Sequence, residues 1–220
     1  MVDFKAVPGP VESHHSPRAT IGGNAILPAE MKVPQCRNCG REQLLFLQFD
    51  IDEAWSLPFR AGSHFVLFMC PKCNEIPSFE TFDQGQLPSE FWKQSEGHFF
   101  ASLNEPEGKE QVQSAEAILV PLELHFEAMR ADGHAPDTIR VGGRPFWLQD
   151  PERFTCQCGA ELVLISQIAE GYGFEKLSDA PEQPDSFSFD AYCLFLGNEI
   201  YIFGCPNQCH PRSVWITVQG

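Results

Sequence analysis

The chain of 220 residues carries 15 basic against 30 acidic side chains, a formal charge of −15, and is 43% hydrophobic and 12% aromatic. That apolar mass excludes a disordered acidic tail and is enough for one large core or two small ones. The negative field argues against direct binding of nucleic acid or anionic lipid, and for attraction of cationic proteins.

No apolar stretch approaches the roughly 18 residues a membrane span needs, and the first twenty residues lack a basic-then-apolar leader. The expected location is the cytoplasm. In that reducing compartment, closely spaced cysteines are read as metal ligands or redox groups before disulfides.

In chain order, residues 1–18 are expected to be a mobile N-terminus. A first unit, 19–88, opens on TIGGNAILP, where Gly22-Gly23 allows a sharp turn. Cys36-x-x-Cys39 follows, with Gly40 where the backbone must turn around the thiolates. The apolar run 44–51 has the length of a buried strand and holds a central Gln48, while 65–69 leads into Cys70-x-x-Cys73.

A connecting segment, 89–140, comes next. Ser89 is positioned to open a short helix, and the polar stretch 104–117 reads as a loop. Beyond Pro121, Leu122, Leu124 and Phe126 alternate with Glu123, His125 and Glu127, the pattern of a half-exposed strand.

The unit 141–220 repeats the first block by block. Gly142-Gly143 matches Gly22-Gly23, Cys158-Gly159 matches Cys39-Gly40, and Gln167 matches Gln48. Gly197, Phe203, Cys205 and Pro206 match Gly62, Phe68, Cys70 and Pro71. Only 13 residues separate Gln48 from Gly62, but 29 separate Gln167 from Gly197, so the second unit holds an insertion near 171–192. The expected fold is therefore β-rich α+β, two pseudo-symmetric halves from an internal duplication, each with a cysteine-knuckle zinc site.

Four thiolates, Cys36, Cys39, Cys70 and Cys73, suit a closed tetrahedral zinc. A second site of Cys156, Cys158, Cys205 and Cys209 departs from the common spacing by one residue in each direction and rests on its place in the repeat. His210 competes with Cys209 as its fourth ligand. Cys193, in an apolar setting, reads as a buried inert thiol. Two structural zinc ions are expected, with no open position for a catalytic water.

No nucleophile-elbow, phosphate-loop, metalloprotease or dinucleotide motif is present, so the chain reads as a non-enzyme. Gln48 and Gln167, polar positions in buried runs, are expected to bond nearby backbone groups. The insertion mixes acids with aromatics, and Tyr172, Phe174, Asp185, Phe187 and Phe189 are its candidate partner-binding residues. A basic protein is the expected partner, captured by a chaperone or an immunity-type neutraliser. The competing reading is an enzyme with a cleft between the halves.

The TIGGNAILP block, the run 44–51 around Gln48, and GNEIYIF at 197–203 resemble the bacterial YwqG-like proteins. Residues 156–167 following GGRPFW at 142–147 resemble the related programmed-cell-death-2 proteins. The resemblance covers most of 18–78 and 141–216. It implies a protein-binding scaffold, since the eukaryotic relatives are dedicated chaperones of a basic ribosomal protein and bacterial ones are linked to toxin and conflict systems. It supplies no catalytic residue to carry over.

Overall fold

The computed structural model describes residues 3–11, 17–77, 85–93, 97–106, 110–113, 117–129 and 137–220. The strands are β1 (Asp3–Pro10), β2 (Thr20–Ile21), β3 (Ala25–Pro28), β4 (Leu44–Asp50), β5 (His64–Met69), β6 (Phe99–Asn104), β7 (Glu110–Gln113) and β8 (Leu122–Met129). They continue as β9 (Ile139–Val141), β10 (Val163–Ile168), β11 (Phe174–Glu175), β12 (Ala191–Tyr192), β13 (Glu199–Gly204) and β14 (Val214–Gln219). Helical structure among the described residues is confined to short 3-10 turns, such as Phe91–Lys93. No helix there is long and apolar enough to cross a membrane.

Ten strands form one sheet in the order β14-β13-β10-β9-β1-β8-β2-β4-β5-β6. The sheet curls until its edges nearly meet: the Leu103 N–H of β6 donates to the Pro211 carbonyl just before β14, at 2.9 Å. The result is a nearly closed barrel.

The strand order is a palindrome about the β1–β8 pair. Each repeat supplies five strands, β1-β2-β4-β5-β6 and β8-β9-β10-β13-β14. The first strand of each is exchanged: β1 lies against β9 of the second repeat, and β8 against β2 of the first. Even the irregularities are duplicated, since β4–β5 slips register between Leu45 and Leu47, and β10–β13 between Leu164 and Ser166. These bulges increase the local twist that barrel closure needs.

Alternation along the strands sorts side chains onto two faces. Phe65, Leu67 and Met69 of β5 and Ile200 and Ile202 of β13 fill the barrel interior. Val66 and Phe68 face outward under a layer with Ala25, Leu27 and Val33, whereas Tyr201 and Phe203 lie under Phe91, Phe154 and Trp215. Burial on both faces explains why the strand runs read as continuously apolar.

Three expectations are corrected. Residues 3–10 are not a mobile tail but a central strand, paired with β8 along its whole length. Its prolines disguise it. Pro8 and Pro10 lie beyond Phe4 and Lys5, the stretch paired with β9, where one side of the strand is free and a missing N–H loses no ladder bond. Residues 12–16, including His14 and His15, lie outside the described residues.

The proposed connection 89–140 is likewise divided between the repeats, because it contains β6, the last strand of one, and β8, the first of the other. The stretch 104–117 is not simply a loop, since β7 within it pairs antiparallel with β3. Ser89 opens no α-helix; its hydroxyl donates to Gln157 Oε1 at 3.1 Å, ahead of the 3-10 turn.

A buried ion pair fastens the exchanged strand. Arg140 Nη2 donates to Asp3 Oδ2 at 2.6 Å, with both side chains almost wholly inaccessible. Gly143, at φ +73°, makes room for it, because a Cβ there would lie 1.7 Å from Asp3 Oδ1. Gly143→Ala is accordingly expected to displace Asp3 and destabilise the fold by about 3–5 kcal/mol, the cost of a broken buried pair. A melting curve against the parent chain checks this.

Candidate metal centres

Each centre is built from two knuckles at the ends of neighbouring strands. In the first half, the Cys36 N–H donates to the Arg41 carbonyl and the Gly40 N–H to the Cys36 carbonyl, both at 2.8 Å. In the second, the Cys156 N–H donates to Ala160 and the Gly159 N–H to Cys156, again at 2.8 Å. The turn is one residue shorter yet retains its closing bonds, and Gly40 and Gly159 occupy the same left-handed position, at φ 72° and 86°. That shortening is the physical content of the Cys-x-Cys spacing. The facing knuckle compensates with one residue more, Gln208 taking a left-handed φ of 43°.

The four sulfurs of Cys36, Cys39, Cys70 and Cys73 lie within 4.8 Å of one another, as do those of Cys156, Cys158, Cys205 and Cys209. Cys39 and Cys70 are 3.4 Å apart, and the pairs Cys156–Cys209 and Cys158–Cys205 are both 3.5 Å apart. A disulfide would hold them at about 2.05 Å. Tetrahedral thiolates around a metal at about 2.3 Å stand about 3.8 Å apart, close to what is seen. Both groups are thus free of disulfides and suited to a metal ion.

The electrostatics agree. A backbone N–H at Arg41 lowers Cys39 to about 7, and one at Ala160 does the same for Cys158. Burial pushes Cys70 up to about 11 and raises Cys73, Cys156 and Cys205 as well. Four converging thiolates would repel one another without a cation among them, and a dication supplies that charge.

The two candidates for the last ligand are separated by the geometry. Cys209 lies in the sulfur cluster, whereas the His210 ring stacks on Trp92 with centroids 4.3 Å apart and accepts the Arg212 N–H. Cys193 is fully buried and takes a hydrogen bond from Asn74, away from both clusters.

Gln48 and Gln167 tie the glycine turns to the barrel in the same way. Gln48 accepts from Ile26 N–H at 3.0 Å and donates to the Asn24 carbonyl; Gln167 accepts from Phe146 N–H at 2.9 Å and donates to the Phe146 carbonyl.

No protein-family model matches this chain, and no curated protein sequence matches it significantly.

The insertion is split in its roles. Phe174 is 1% exposed and meets Phe46 edge-on at 5.0 Å, so it belongs to the core and is unavailable to a partner. Tyr172 is half-buried against it. Phe187 and Phe189 are exposed, at 56% and 78%, and Asp185 is exposed beside them. The acid-rich composition around Phe174 hid its inward direction.

Sequence reasoning also missed Asp3, Arg140 and a chain of charges on the first half. There Arg18 bridges Asp50 and Glu110, and Asp50 in turn meets His64 Nδ1 at 2.7 Å. No local spacing signals such pairs, because their members come from distant strands.

Proposed function

We propose that the chain is a non-enzymatic scaffold, stapled by two structural zinc ions, that captures a basic protein as a chaperone or an immunity-type neutraliser. Zinc is the reading for the metal because four thiolates in a closed tetrahedral site match its preference and leave no position for substrate or water. The cysteines Cys36, Cys39, Cys70 and Cys73, with Cys156, Cys158, Cys205 and Cys209, would hold the two ions and fix the knuckles over the outer apolar layers. The resemblance to the YwqG-like and programmed-cell-death-2 proteins points the same way.

The carrying observation is the exposed pair Phe187 and Phe189, set among the exposed acids Asp179, Glu182, Asp185 and Asp190. Aromatic side chains anchor interfaces, and surrounding acids steer a cationic partner toward them. The double variant F187S/F189S is expected to weaken capture of that partner at least tenfold with an unchanged melting temperature, since neither residue supports the core. Binding should also fall steeply as salt rises. Capture that ignores both salt and this substitution would refute the reading.

A further inference from the structure

The duplication provides an internal template for a second surface. Aligning Gly22-Gly23 with Gly142-Gly143, and Gln48 with Gln167, places Ala25, Ile26 and Leu27 of β3 on Pro145, Phe146 and Trp147. In both halves the glutamine binds the middle residue's N–H, fixing the segment's inner side to the barrel. The outer sides differ. In the first half β7 covers β3, in the register Ala25↔Gln113, Ile26↔Val112 and Leu27↔Gln111. In the second, no described residue pairs with 145–148.

The consequences are visible at the equivalent positions. Ile26 under β7 is 6% exposed, whereas Phe146 is 42% and Leu148 39% exposed. Because the Ile26 N–H is taken by Gln48, ladder bonds to β7 come from Ala25 and Leu27. Their counterparts, the Pro145 carbonyl and the Trp147 N–H and carbonyl, make no hydrogen bond among the described residues. Three of the four ladder groups are therefore free, Pro145 lacking only its N–H.

The edge is also held rigid. Trp147 stacks on Tyr201 with centroids 4.4 Å apart, the Tyr201 hydroxyl donates to the Phe146 carbonyl at 2.9 Å, and the Leu148 N–H donates to that hydroxyl at 3.0 Å. A preformed strand costs little ordering on binding.

We propose that residues 145–148 are a strand-docking edge that receives an extended segment of a partner protein, antiparallel, with an apolar residue opposite Phe146 as Val112 lies opposite Ile26. Main-chain bonds supply affinity and the residue facing Phe146 supplies selectivity, the usual division in strand addition. A second copy of the chain is the poorer occupant, because its own β7 is already engaged on β3. The inference rests on the scaffold reading only in assigning the segment to a partner; the edge itself does not require a basic one.

The probe is a synthetic peptide of residues 109–117, KEQVQSAEA, added to the full metal-loaded chain and followed by amide NMR and hydrogen exchange. Saturable shifts at Phe146, Trp147 and Leu148 are expected, with exchange of the Trp147 amide slowed at least tenfold at saturation. A peptide with Gln111→Pro, which loses the donor facing Trp147, is expected to have no effect, and F146S to weaken binding about tenfold. An unchanged Trp147 amide at millimolar peptide, an equal response to the proline peptide, or protection of the edge by self-association would overturn the proposal. If the peptide docks but capture of a basic protein is indifferent to salt, the edge stands and the basic-partner reading falls. The reverse pair of results separates them the other way.

Discussion

Changing Cys70 to serine is expected to release one metal ion per chain and lower the melting temperature by 10 °C or more, and Cys205→Ser is expected to do the same at the other centre. Structural zinc contributes on the order of 10 kcal/mol of apparent folding free energy in small peptides. Even half of that, about 5 kcal/mol, shifts a chain of this size by roughly 10–20 °C. Each knuckle pair covers one outer apolar layer, with Leu45, Val66 and Phe68 near the first and Leu164, Phe203 and Trp215 near the second. Loss of either metal should uncover its own layer while sparing the other. A chelator strong enough to strip both should abolish cooperative unfolding. Acid acts in the same direction, since every bound thiolate is one that protons compete for. Equal melting curves for the serine variants and the parent would show that the cysteines hold nothing of structural weight.

The second large effect concerns the first residues of the chain. Deleting residues 1–11 is expected to leave no folded protein, because β8 and β9 would face each other across a missing strand in the middle of the sheet. The point variant Asp3→Ala isolates one part of this. It leaves the Arg140 guanidinium buried, its Nε already unpartnered, and should cost about 3–5 kcal/mol. Replacing both partners by apolar residues, Asp3→Leu with Arg140→Met, is expected to recover much of that loss, since no uncompensated charge remains. Chemical denaturation of the three variants distinguishes a fastened strand from a dispensable tail. A deletion that melts like the parent would remove β1 from the fold.

Local chemistry made the knuckles legible, because Cys36 to Gly40 and Cys70 to Cys73 carry their own spacing, and it made the apolar runs of β4, β5, β10 and β13 legible through length. The repeat then located the second cysteine group despite its altered spacing, and it paired Gln48 with Gln167 before any geometry was available. The alternation after Pro121 also marked β8. What the sequence concealed was pairing at a distance. Strand exchange leaves no periodic trace, Pro8, Gly9 and Pro10 hide a strand that needs few donors on one side, and the polar Glu110-Gln111-Val112-Gln113 pairs only because β3 lies ready for it. Asp3 and Arg140 are 137 positions apart, beyond any motif. Phe174 shares its surroundings in sequence with Phe187 and Phe189, yet it turns inward to Phe46 while they remain in solvent.

These points give the metals a definite place: they are matched staples on the outside of a duplicated, strand-exchanged barrel, and recognition is left to the exposed aromatics and the open edge. Metal analysis of the purified chain, combined with X-ray absorption at the metal edge, tests this most directly. Two zinc ions per chain, each in a shell of four sulfurs at about 2.3 Å, is the expected result. Fewer than one metal per chain, or cysteines recovered as disulfides, would contradict it.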